Sequence, residues 1–187
     1  METGQLLAIF AGMPQTLSIE GKEVATAIYK QPVTGPVIVR TLNIDGDQQG
    51  DLTVHGGVDK AVYCYPVEHY DTWSAELKRP LDRGTFGENL TVSGFLEDVL
   101  HIEDVIEVGT AVLQVSQPRY PCYKLGHKMG DQRFIRRFQQ SGRSGFYCRV
   151  LKEGTIAAGD AMRVVQRDEA QPTVADIVKA RNKHDGV

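Results

Sequence analysis

The segment richest in chemistry is Gln117-Pro118-Arg119-Tyr120-Pro121-Cys122-Tyr123-Lys124-Leu125. Its two prolines fix two φ angles and remove two backbone donors, so the turn has little freedom to move the Cys122 thiol. Arg119 and Lys124 bring positive charge nearby in sequence, which favours thiolate over thiol if the side chains converge on the sulfur. A thiolate is both a nucleophile and a soft metal ligand. Taken alone, a cysteine is more often a small buried hydrophobe. That is the reading for Cys64 and Cys148, which lie inside the β-like runs Val62 to Tyr65 and Phe146 to Val150.

A second constellation is His55-Gly56-Gly57-Val58-Asp59-Lys60-Ala61-Val62. Paired glycines let the backbone turn tightly and approach a ligand, with His55 on one side and Lys60 on the other, which suits an anion or a polar heterocycle. The glycine spacing and the Lys-Ser/Thr of a Walker loop are absent, as is a dinucleotide fingerprint. Third comes Gly84-Thr85-Phe86-Gly87-Glu88-Asn89-Leu90-Thr91-Val92, in which Asn89 has the donors and acceptor to read a base or pterin edge; an Asx turn is the competing reading. Lys30 and Arg40 are cations near strand ends, each read alone as a surface charge.

These residues need a frame. Short β-prone runs recur between Gly, Asp and Pro punctuation: 6–10, 24–29, 37–42, 61–65, 90–92, 105–108, 111–116, 146–151 and 162–165. That spacing reads as a closed barrel or sandwich. In the run from Ala111, residues Ala111, Leu113 and Val115 share one face, and the strand feeds directly into the Cys122 turn. One helix is expected from Pro66 in its first turn to a stop before Pro80, with Val67, Tyr70, Trp73 and Leu77 inward. Another lies between Asp131 as N-cap and Gly142, burying Phe134, Ile135 and Phe138. Its Arg133, Arg136 and Arg137 read as a solvated face, with docking of an acidic partner or an anionic ligand as the alternative. After Gln166 the chain turns polar, and Thr173 can cap a short helix through Val178. The expected division is one domain over 1–168 and a short helical appendage over 169–187.

A chain of 187 residues, 41% hydrophobic and 24% charged, can bury one core and lacks the signature of disorder. A net charge of -3 disfavours general nucleic-acid binding. No apolar run is long enough to span a bilayer, and Met1 to Gly12 does not read as a secretory signal, so the cytoplasm is the expected address and no membrane partner is expected. Three cysteines without a CxxC pair suggest neither a disulfide framework nor a zinc site, and fall short of an iron–sulfur cluster. Redox activity then requires electrons from outside.

In order and distance, "VHGGVDKAVYCYPVEHY", "FGENLTVSG", "VGTAVLQVSQPRYPCYKL" and "GFYCRVLKEGTIAAGD" resemble the MOSC family, named for the C-terminal domain of molybdenum-cofactor sulfurase, and within it the small stand-alone YiiM-like bacterial subgroup. The likeness runs from about Ala8 to Val165. It implies a mainly β fold, a closed β-barrel of the pyruvate-kinase-barrel-like kind with a few helices, and a cleft for the molybdenum cofactor (molybdopterin). The family's proposed metal-ligating cysteine falls on Cys122. Cofactor-contacting positions fall on Lys30, His55, Lys60, Asn89 and Arg119. The implied activity is reduction of small N-hydroxylated compounds, such as hydroxylaminopurines, with electrons from an external electron-transfer reductase. The alternative is a sulfur- or cofactor-carrier module with a persulfide on Cys122 and no turnover. Longer members continue into a C-terminal three-helix extension, of which "TVADIVKARNKHDGV" matches only the beginning.

Overall fold

The computed structural model describes residues 2–19, 21–49 and 56–186. In chain order the elements are β1 (Thr3–Ala11), β2 (Gln15–Ile19), β3 (Lys22–Thr26), β4 (Gln31–Pro32), β5 (Val37–Val39), a 3-10 turn (Val58–Lys60), β6 (Val62–Pro66), α1 (Glu68–Leu77), β7 (Leu90–Ser93), β8 (Val105–Val108), β9 (Ala111–Pro118), α2 (Tyr123–Met129), α3 (Arg133–Ser141), β10 (Phe146–Lys152), β11 (Gly154–Ile156), β12 (Ala161–Gln166) and α4 (Val174–His184).

Seven strands close into a barrel in the order β12-β8-β9-β10-β6-β7-β1, with β1 returning to β12 through the Thr3–Arg163 register. Closure removes the exposed sheet edges that would invite pairing with other chains. Every neighbouring pair is antiparallel except β6 and β7, and α1 supplies the crossover that a parallel pair demands. β4 pairs with the end of β1, while β2–β3 and β5–β11 form separate two-stranded ribbons.

Strand alternation sorts the side chains into two cores. Leu6, Val62, Cys64, Leu113, Val115, Phe146, Cys148 and Met162 fill the barrel. The opposite faces of β6 and β10 carry Tyr63, Tyr65 and Tyr147 outward, and α1, α3 and the 84–91 loop cover part of that outer surface with Trp73, Phe134, Phe138 and Phe86. β6 is therefore buried on both faces, which is why its sequence reads as an unbroken apolar run. Tyr70 and Trp73 of α1 point inward as their spacing predicts. The expected start differs: Pro66 closes β6, opposite Val92, and the helix begins two residues later. That position suits proline, whose missing donor is tolerated at a strand terminus.

The helix α2 has no counterpart in the sequence reading. Its Tyr123–Met129 stretch contains Gly126 and no apolar period, and it forms where Gly130, at φ 75°, terminates about two packed turns. Gly126 packs closely on the start of α3, since a Cβ there would lie 3.1 Å from Gln132 Cα and would displace the Gln132 side chain. The helix starting at Thr173 is present, closed by a reciprocal capping box with Asp176. It is docked rather than dangling, since Val174 and Val178 are buried and Ile102 N–H donates to Pro172 O (2.9 Å). Among the described residues no helix is long and apolar enough to cross a membrane.

Candidate functional site

A cleft of about 710 Å³, partly open to solvent, lies against the outer faces of β6 and β10. Its floor is Tyr63 and Tyr147, brought side by side by the register of the two strands, with ring centroids 5.2 Å apart. The walls are the 26–30 segment, the 47–49 segment, the 3-10 turn and the 84–91 loop. The Arg119–Cys122 turn closes the remaining side.

The cleft gathers Lys30, Lys60, Asn89, Arg119 and Cys122 from four separate stretches of chain. His55 lies outside the described residues. Cys122 is the N-cap residue of α2, in extended conformation and partly exposed on the cleft, as the stiff Pro118/Pro121 mount predicts. Arg119 is 6% exposed, with its guanidinium 5.3 Å from the Tyr63 ring centre and 5.4 Å from that of Phe138. Burial opposes its charge, but Tyr63, Tyr147, Cys122 and Tyr65 together outweigh burial and raise its pKa. Its Nη1 is buried without a hydrogen-bond partner. Such an open donor on a buried cation is costly unless something completes it.

Lys30 forms a buried ion pair with Asp47. Asp47 is a hub that sequence reading missed: it also accepts from Gly12 N (2.8 Å) and from Asn89 Nδ2 (2.9 Å). Asn89 faces the cleft with its amide already committed. Its Oδ1 accepts from Tyr63 N (3.1 Å), and its Nδ2 donates to Asp47 and to Phe10 O (3.3 Å). It thus ties β1, β6 and Asp47 together, which is neither an Asx turn nor a pair of open donors. Lys60 ends the 3-10 turn on the cleft, and Gln49 holds that turn by donating to Lys60 O (2.8 Å) and accepting from Gly57 N (2.9 Å).

The 84–91 loop is held by Glu88, fully buried, whose carboxylate accepts from Tyr70, Gly84 N (2.8 Å), Phe86 N (3.1 Å) and Thr91 (3.0 Å). Lys124, also lining the cleft, is buried and donates to Ala25 O (2.9 Å). Tyr120 lines the opposite rim under the Arg181 guanidinium of α4, 4.1 Å from its ring centre. Arg40 is an exposed partner of Asp45. On α3, Arg133 and Arg137 pair with Asp131 and Glu76, as a solvated face would.

Among the described residues, then, Lys30, Lys60, Arg119 and Lys124 line the cleft against the single carboxylate of Asp47. The arrangement favours an anion carrying a flat ring system, with a sulfur ligand at its edge. Asp47, Tyr63 and Tyr147 were not singled out by sequence, because an acid in a turn and tyrosines in strands have ordinary structural readings.

The sequence profile of the MOSC domain matches residues 51–163. Uncharacterized protein YflK of Bacillus subtilis is 46% identical over 168 residues, covering 90% of this chain and 76% of that protein. A protein of Gibberella moniliformis named "Reductase" is 35% identical over 186 residues, spanning 96% of this chain but only 33% of its own length. The crystal structure of YiiM from Geobacillus stearothermophilus superposes with a TM-score of 0.81 at 38% identity, over 97% of this chain and 85% of that one.

Proposed function

This chain belongs to the MOSC domain family, and from that premise we propose that its cleft holds the molybdenum cofactor with Cys122 as the protein ligand to the metal. The loaded protein reduces small N-hydroxylated compounds of the hydroxylaminopurine type to the parent amine. The overall change takes up two electrons and two protons, cleaves the N–O bond and releases water.

The carrying observation is Arg119: a buried guanidinium beside Cys122 with one nitrogen left without a partner. The residues present fit the group. Cys122 offers a soft sulfur donor, Arg119 Nη1 offers an open charge-assisted hydrogen bond, and Lys30 and Lys60 add positive charge for an anionic cofactor. When bound, the cofactor supplies two-electron chemistry and a Lewis-acidic metal. The chain supplies the rest. Pro118 and Pro121 hold the thiol in place. The Tyr63–Tyr147 floor can orient a planar ring, and Tyr147, its pKa raised by burial, keeps the proton on Oη and acts as a donor.

Electrons come from a separate electron-transfer reductase. Support for this comes from the fungal "Reductase", two-thirds of which lies beyond the region this chain matches and leaves room for further modules.

The test is metal and pterin analysis of gently purified protein with an N-reductase assay, for wild type and Cys122→Ser. Wild type is expected to carry molybdenum and turn over, and the serine variant to lose at least about 100-fold in activity. Absence of molybdenum from protein produced with the cofactor supplied, together with unchanged activity in the variant, overturns the reading. A persulfide on Cys122 without turnover would favour the carrier role instead.

A further inference from the structure

α2 is attached to the rest of the cleft by two lysines one helical turn apart, on one face. Lys124 Nζ donates to Ala25 O (2.9 Å), and Lys128 Nζ donates to Ile28 O (3.0 Å) and Gly84 O (2.8 Å). Lys128 therefore joins three pieces: the helix that begins at Cys122, the 26–30 wall, and the 84–91 loop. Those two walls touch where it ties them, since a Cβ on Gly87 would lie 2.7 Å from Ile28 Cγ1.

The Lys128 ammonium is satisfied by carbonyls, and no carboxylate bonds it among the described residues. The groups around it come from each packed segment: Tyr29, with its ring centre 5.5 Å away, and Lys30 from the first wall; Glu88 from the loop; Arg119 from the cysteine turn. Glu88 is already occupied by four donors. Burial above all, with repulsion from Lys30 and Arg119 added and attraction to Glu88 opposing, lowers the pKa of Lys128 to about 8. Lys30 and Arg119 are themselves cleft cations. An anion bound between them cancels their repulsion of Lys128 and raises its proton affinity, and by reciprocity the proton on Lys128 strengthens anion binding.

We propose that Lys128 is the positioning residue of the cleft, joining the Cys122 helix to both walls, and that anion binding is coupled to its protonation. This rests on reading the cleft as an anion site and deepens the proposed function. Lys128 does not line the cleft, so it acts through the walls and through its charge.

The experiment uses cofactor-free protein and sulfate, which stays doubly charged across the range. Cys122→Ser serves as background, so that thiol ionisation cannot contribute. Amide shifts of the 26–30 and 84–91 segments are titrated with sulfate at constant ionic strength from pH 6.5 to 9.5. Between pH 7 and 9 the affinity is expected to fall about two- to fivefold, the share of a coupling of half to one pKa unit that falls within that window. Adding Lys128→Arg, whose guanidinium keeps its charge, should leave binding flat with pH. Lys128→Met should bind weakly and also without pH dependence. Thermal melts report whether each variant folds, and the arginine variant carries the test if the methionine one does not. Absence of sulfate binding at pH 6.5, a pH-independent affinity in the background protein, or an unchanged pH dependence in Lys128→Arg overturns the proposal. Sulfate linkage in a protein that never takes up molybdenum would sink the proposed function and leave this inference standing; the reverse result would do the opposite.

Discussion

Two thiols of this protein and the third live in opposite surroundings, although all three lie on or beside neighbouring strands. Cys64 and Cys148 face the barrel interior from β6 and β10, fully buried. The residues beside them, Tyr63 and Tyr147, alternate to the other face and form the cleft floor on which Cys122 opens. Inside the barrel the thiols serve as small hydrophobes, and hydrogen bonding with Cys148 together with burial pushes the Cys64 thiol well up. Outside it, polar groups are gathered by turns and one of them is left open. The barrel is satisfied packing; the cleft holds an unpartnered donor, Arg119 Nη1. The largest contrast should be in thiol alkylation. In native protein Cys122 should react at least about a thousandfold faster than Cys64 and Cys148, which become available only when the barrel opens. Mass spectrometry should count one label natively and three in urea; comparable rates for all three would erase the distinction.

Glycines sharpen the same comparison. Gly145 enters β10 at φ 65°, and a Cβ there would lie 2.5 Å from Cys64 O and within 2.9 Å of the Tyr63 and Tyr65 rings. Gly57, beside the cleft at φ 99°, has nothing within 4 Å of the same position. Gly145→Ala combines left-handed strain with backbone overlap and should cost more than about 4 kcal/mol, whereas Gly57→Ala, at a backbone conformation essentially reserved for glycine, should cost about 1–3 kcal/mol from strain alone. Urea midpoints measure both. Equal shifts would show that the barrel accommodates what its packing forbids.

Legibility in the sequence followed the same division. Strands that bury one face, such as β9, show in the alternation of Ala111, Leu113 and Val115, and β8 appears over the expected 105–108. β4, with two residues, and β11, with three, are too short to carry a period. α2 is formed by tertiary anchors at Lys124 and Lys128 and by Gly130, none of which a periodicity search registers. Cations in proline- and glycine-rich turns, Arg119 and Lys60 among them, stood out by type. Asp47 did not, because its importance arises from a register that brings Lys30, Gly12 and Asn89 to it from distant stretches. Asn89 shows the limit from the other side: its type suggested ligand reading, yet its neighbours have taken up the amide.

Arg119 is where the two regions can be separated most finely, and its effect on stability should be the smallest. A buried guanidinium with an unpartnered nitrogen contributes packing through its stem and its contacts with Tyr63 and Phe138, but it also carries the cost of a buried donor, Nη1, that no protein group completes. Arg119→Met keeps most of the volume and removes both the charge and the open donor. The losses and gains oppose each other, so the urea midpoint should correspond to a change within about 1 kcal/mol of wild type. Ligand binding has no such compensation. The same substitution should cut cofactor retention at least about tenfold, because it removes a charge-assisted hydrogen bond worth about 1.5–3 kcal/mol. Loss of stability with intact retention would reverse the assignment and place Arg119 with the barrel's packing rather than with the cleft's chemistry.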